Sequence, residues 1–381
     1  MRSLVREPWL LAVLAVGLLV RAVLIPITYG DDFVVWDLAT KATLHGSNIF
    51  ARHPPYPNGP YAYFPLFLYL ETPFQWLAQH TSASFLVLGK LPILAADVAC
   101  ALLIAAELRA RGRSPRAVAG WTAAFFLNPL VLYNSAYYGR FDTLGCAFLL
   151  LALRVLRRNP AGVRGAFAYG LAIAAKTFPG FLIFGVLRRA GAAWRRALVI
   201  VIAVLVVISL PYLGTPRPFV HDLFIRDANK APGGLGWQSV LLHVTSTHGA
   251  KLVSYALLAA FVLAALWLSR IADVELSTAA TLVAFIICSK VVLEQYLIWP
   301  LPWLLLLAAS AGARIARVSL ALAGVFTLIG MLDNESYHPF GRPGDTINLL
   351  LAACCVCYLL VVARAAGRND AVPAVVAAPR A

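Results

Sequence analysis

Apolar residues fill this chain in long blocks, and the polar positions between them come in short clusters. A helix needs about 17 to 25 apolar residues to cross a bilayer. Blocks of that order lie at about 9 to 29, 85 to 108, 117 to 136, 142 to 157, 196 to 213, 250 to 270, 273 to 289, 293 to 311, 316 to 332 and 345 to 364, the one at 142 to 157 being the shortest. The pattern predicts an all-α fold, a polytopic transmembrane helical bundle. Met1 to Val20 opens with Arg2 and Arg6 and runs into Arg21 with no small-residue cleavage pattern, which predicts a retained signal-anchor helix.

Two blocks break the pattern. Tyr61 to Gln79 is apolar but carries Glu71-Thr72-Pro73 inside and an aromatic, proline-rich entry, so it reads as an interfacial helix in a long first outer loop. Gly165 to Leu187 has Arg157, Arg158 and Arg164 before it and Arg188, Arg189, Arg195 and Arg196 after it. A re-entrant hairpin near 165–188, broken at Lys176-Thr177-Phe178-Pro179, leaves both basic ends on one side, because Pro179 disfavours helix at Phe178 and removes a donor. A single straight span is the competing reading. With the hairpin, arginine clusters at 109 to 116, 157 to 164, 188 to 196, 270, 314 to 317 and 364 to 368 all face the cytoplasm, as do both termini. No internal repeat is visible, so residues 1–368 read as one integral-membrane domain and 369–381 as a disordered cytoplasmic tail.

Composition sharpens this. The 381 residues are 61% hydrophobic and 13% charged, with mean hydropathy +0.78, outside the range of a soluble domain. The net charge of +15 sits in short basic loops between spans, which excludes nucleic acid as the partner. None of the six cysteines has zinc-like spacing or forms a disulfide framework, and no cofactor is indicated.

Most acids and all histidines fall on the side opposite the arginine clusters, and this is where chemistry is expected. Asp31 and Asp32 leave the first span as adjacent carboxylates. Arg140 and Asp142 flank Phe141 at a helix start, where a local ion pair is the plain alternative. Lys290 and Glu294 form an i, i+4 pair if their segment is helical. Lys176, at membrane depth, takes an anionic phosphate as its expected partner. The 214 to 249 loop adds His221, Arg226 and a glycine-rich stretch before Trp237 and Gln238, readable as a mobile flap over a sugar or lipid head group.

Together, Asp31-Asp32-Phe33-Val34-Val35-Trp36, Tyr61-Ala62-Tyr63-Phe64-Pro65-Leu66, Asn128-Pro129 with Gly139-Arg140-Phe141-Asp142, Ala175-Lys176-Thr177-Phe178-Pro179, and Lys290 with Gln295-Tyr296-Leu297-Ile298-Trp299 resemble the GT-C integral-membrane glycosyltransferases that use polyprenyl-phosphate sugars. The resemblance is nearest to the bacterial phosphatidylinositol-mannoside and GPI mannosyltransferases. It implies an inverting transfer of a sugar, mannose at the level of the family, from a polyprenyl-phosphate donor to a lipid or glycan acceptor. It makes Asp32 the base, with Asp31 beside it. Some members of that family carry Asp-x-Asp where this chain has Asp-Asp, so a divalent metal is not indicated. Lys176, Lys290, Arg140, His221 and Arg226 are the candidates for the donor phosphate. Tyr61, Tyr63, Asp142, Trp237, Gln238, Glu294, Gln295 and Tyr296 are the candidates for sugar and acceptor. Composition places the enzyme in a bacterial plasma membrane with its site facing the periplasm. A lipid-linked oligosaccharide flippase is the alternative.

Overall fold

A computed structural model describes residues 7–28, 30–51, 61–226, 230–333 and 344–367, without the side chains of Asp31 and Thr247. The proline-rich start of the first loop, Asp227, most of the loop before Asp345 and the tail at 369–381 lie outside the described residues. The fold is all-α, and its strand content among the described residues is one two-residue pairing. Five helical segments there are long and apolar enough to cross a membrane: Phe85–Ala110, Phe178–Tyr212, His248–Leu268, Ala313–Leu332 and Asp345–Gly367. Pro8–Leu24, Val163–Ala175 and Val274–Cys288 are shorter apolar helices.

Five is fewer than the ten apolar blocks, because polar and proline positions cut several blocks. The block at 117 to 136 is cut at Asn128-Pro129: the helix Pro115–Phe126 stops, and Asn128 Oδ1 accepts from the Leu130 amide at 3.0 Å. The block at 293 to 311 is a 3-10 turn, Glu294–Ile298, followed by the ten-residue helix Leu301–Ser310.

The chain divides into two compact units. One comprises Leu11–Leu103 and Val131–Lys230. Here Asp142–Arg158 packs against Val163–Ala175, which packs in turn on Trp194–Ser209. Small residues permit the close approach, as in helix packing within bilayers. A Cβ on Gly165 would lie 2.6 Å from the Leu156 side chain, and one on Gly170 would lie 2.9 Å from Val204. The helix ending at Ala175 breaks at Lys176, whose backbone is extended (φ −153°, ψ 143°). A 3-10 turn, Phe178–Leu182, then leads into Ile183–Ala190. Ala166, Ala190 and Ala197, from the two sides of this break and the helix after it, share one buried apolar cluster. Two helices of the long first loop, Asp31–Leu44 and Leu66–His80, pack on each other.

The other unit comprises Met1–Leu10, Ile104–Leu130 and Ala231–Ala381. Val274–Cys288 and Leu301–Ser310 are apolar around most of their circumference and correspondingly buried. Arg111 ties the start of the first to the end of the second by donating to Glu275 at 2.6 Å and to Ser310 at 2.5 Å.

Candidate active site

The first unit assembles an acid–cation cluster from three stretches that the sequence keeps far apart. The first begins at Gly30, extended (φ −65°, ψ 155°), which starts the helix Asp31–Leu44. Asp31 and Asp32 therefore occupy its first turn, where the helix dipole favours negative charge. Gly30 cannot carry a side chain, since a Cβ there would lie 2.6 Å from the Tyr138 carbonyl oxygen.

The second stretch is a π-helical turn, Tyr133–Tyr137. After it Gly139 takes φ +83°, a left-handed conformation that L side chains rarely adopt, and its carbonyl accepts from the Trp36 indole at 3.2 Å. The turn swings Arg140 back so that its backbone amide donates to the Asn134 carbonyl at 2.8 Å. The Arg140 side chain then donates from Nε to Asp32 Oδ2 at 2.7 Å and from Nη1 to Asn134 Oδ1 at 3.3 Å. Its guanidinium lies 4.0 Å from the Tyr138 ring centroid. Of this ion pair, Arg140 is buried and Asp32 is the member that reaches solvent, with side-chain exposures of 5% and 28%. The pair therefore presents an oriented carboxylate outward on a buried cation.

The third stretch is the break at Lys176. Its Nζ lies 3.3 Å from Asp142 Oδ2, with both side chains buried. The ammonium also faces the rings of Phe141 and Tyr63, 4.2 and 4.3 Å from their centroids. Asp32 and Arg140 are near enough to act on its charge. Gly145 makes room for it, because a Cβ there would lie 2.9 Å from Lys176 Cβ. Phe141, between Arg140 and Asp142, stacks on Phe67 at 3.8 Å and meets the Trp36 ring edge-on at 5.1 Å. Aromatic packing thus fixes the spacing of the two ion pairs. Arg140 and Asp142, for which a local ion pair is the plain alternative, are each engaged with a residue from elsewhere in the chain.

Other expected residues of this unit lie differently. Tyr61 is buried beneath Trp36, 5.6 Å between rings, and its hydroxyl donates to the Phe64 carbonyl at 3.3 Å, so it supports the cluster from within and does not face a substrate. Burial pushes its hydroxyl pKa well above the ordinary tyrosine value. His221 stands on an exposed turn, Nδ1 3.2 Å from Asp222 Oδ1, and Arg226 follows that turn. Glu71, noted above only as an interruption, is fully buried with no hydrogen-bond partner for either carboxylate oxygen among the described residues. Burial first, and the nearby Asp37 second, push its carboxyl well above the usual range.

In the second unit the glycine-rich stretch is pinned in place, where a mobile flap was expected. Gly233–Gly234 pairs in parallel with Val291–Val292, and a Cβ on Gly234 (φ +62°) would lie 2.2 Å from the Val292 carbonyl oxygen. The Trp237 indole donates to the Ile287 carbonyl at 2.8 Å. The Gln238 amide donates to the Cys288 carbonyl at 2.9 Å and accepts from Ser254 Oγ at 2.6 Å. Gln238 is thus consumed by the fold, which corrects its assignment to substrate. The Lys290 carbonyl accepts from Gly233, and the backbone to Leu293 is extended, so Lys290 and Glu294 are not one helical turn apart. Glu294 and Gln295 are buried, and Tyr296 stacks on Trp299 at 4.2 Å.

Among the described residues no three His, Cys, Asp or Glu side chains gather closely enough to hold a metal ion. The sequence model of glycosyltransferase family 87 matches residues 61–294, more than half of the chain and reaching into both units. The matched stretch contains Tyr63, Arg140, Asp142, Lys176, Lys290 and Glu294, and begins after Asp32.

Proposed function

We propose that this chain, which belongs to glycosyltransferase family 87 and is a membrane glycosyltransferase, takes its sugar from a polyprenyl phosphate and gives it to a lipid or glycan hydroxyl at the outer face of the plasma membrane. The observation that carries this reading is the pair of acid–cation contacts, Asp32 with Arg140 and Asp142 with Lys176, built around Phe141 in one unit. Mannose as the sugar rests on the resemblance drawn from the sequence.

The chemistry follows from the groups present. The acceptor oxygen attacks the anomeric carbon as the bond from that carbon to the phosphate oxygen breaks, with inversion. Asp32, the exposed member of its pair, takes the acceptor's proton, which requires hydrogen-bond reach in the bound complex. The leaving group is a phosphate monoester that gains charge as it departs. Arg140 and Lys176, held by rings and by the side chains of Asp32, Asn134 and Asp142, offset that charge without reorganising. Transport needs charges along a path, and Arg21 and Asp97, both fully buried in this unit, are bonded to each other at 2.8 Å.

The test is transfer without compartments. Purified protein in detergent, given labelled polyprenyl-phosphate mannose and membrane lipid acceptors, is expected to yield a labelled glycolipid. Activity confined to sealed vesicles would favour the flippase instead.

A further inference from the structure

Lys90 begins the long apolar segment after the first loop and is 1% exposed. No carboxylate pairs with it among the described residues. Instead its Nζ donates to four backbone carbonyls: Ile25 at 3.0 Å, Thr28 at 2.8 Å, Ala136 at 3.1 Å and Tyr137 at 2.7 Å. An ammonium has three hydrogens, so at least one is shared among these acceptors.

These four carbonyls belong to two chain ends. Ile25 and Thr28 follow the helix Pro8–Leu24, while Ala136 and Tyr137 close the π-helical turn. Carbonyls at helix C-termini lack partners within the helix and carry the negative end of its dipole. One cation therefore satisfies two helix ends together. Thr28 lies four residues before Asp32, and Tyr137 lies three before Arg140. The stem of Lys90 completes the junction: a Cβ on Gly139 would lie 3.2 Å from Lys90 Cε and 2.6 Å from Phe33, the residue after Asp32.

We propose that Lys90 is a positioning residue for sugar transfer, clamping the backbone that presents Asp32 to the backbone that presents Arg140 and so fixing the separation of the pair. The proposal rests on the reading of that pair as the reacting acid and its cation. Lysine suits the place and arginine does not, because four carbonyls converging on one point fit a compact ammonium rather than a planar fork.

The test compares Lys90→Met and Lys90→Gln with Asp32→Asn in the same detergent assay, measuring kcat, donor KM and apparent Tm. A displacement of the pair by a fraction of an ångström to an ångström lowers kcat by about 10- to 100-fold. Donor KM is expected to stay within about twofold, since Lys90 touches no substrate in this reading. Lys90→Gln keeps two donors and is expected to fall between Lys90→Met and wild type. A folded Lys90→Met or Lys90→Gln with wild-type kcat overturns the proposal. Loss of the folded protein in both variants makes Lys90 a folding residue and overturns it as well. If Asp32→Asn itself retains full turnover, it is the reading of the site that fails.

Discussion

Lys176 and Asp142 allow a structural ion pair to be told apart from a catalytic one. In Lys176→Met the carboxylate of Asp142, whose side chain is 1% exposed, loses the cation 3.3 Å away. Removing one partner of a buried ion pair costs about 3–5 kcal/mol, so apparent Tm in detergent should fall steeply. Turnover should fall too, by about 10²- to 10³-fold, if Lys176 also offsets charge on the departing phosphate. The double variant Lys176→Met/Asp142→Asn separates the two effects. It removes both charges, leaves a neutral side chain at the helix start, and is expected to recover most of the lost stability. Its turnover is expected to remain as low as that of the single variant, read as labelled glycolipid formed per enzyme at saturating donor. A double variant that regains wild-type turnover along with its stability would refute the assignment, leaving Lys176 as a fold-stabilising partner of Asp142 only.

Three further outcomes follow from the geometry. Arg140→Lys keeps the charge but loses the fork that reaches Asn134 and the plane over Tyr138, and turnover should drop about 10- to 100-fold with little change in Tm. Gly139→Ala places a methyl against Phe33 in a left-handed backbone, and thermal unfolding should show a loss of about 1–3 kcal/mol or more, with activity falling as well. Glu71 holds its proton to higher pH in the folded chain than in the unfolded one, so stability present below the ordinary value of 4.5 is lost as pH rises through the folded pKa. Apparent Tm of the wild type should therefore decline from pH 5 to pH 8, while Glu71→Gln should be flat over that window and the more stable of the two at its upper end.

The helices were legible because apolar blocks and their breakers act locally. Pro179 beside Lys176 marks the interruption of one segment, and Asn128-Pro129 marks that of another. The site was legible as an inventory but not as a set of pairs. Arg140 and Asp142 look like neighbours in sequence, yet the π-helical turn and the left-handed Gly139 carry Arg140 to Asp32, more than a hundred residues away. Trp36 and Phe141 stand in the quoted stretches without a role of their own, and only tertiary packing makes them the wedge between the two ion pairs. The Gly233–Gly234 stretch misled for the same reason. Glycine permits mobility, but here it admits the close backbone pairing with Val291–Val292. Glu71 gave no sequence signal of burial, since a charged residue in an amphipathic helix is ordinarily solvated.

Asp32 is the group on which the proposed chemistry turns. Asp32→Asn keeps an acceptor oxygen for Arg140 Nε at the position now 2.7 Å away and removes only the capacity to take a proton. Measured as single-turnover transfer in detergent from saturating labelled polyprenyl-phosphate sugar, the rate should fall by about 10²- to 10⁴-fold while donor binding and Tm stay near those of the wild type. Full turnover by that variant would contradict the assignment of Asp32 as the base.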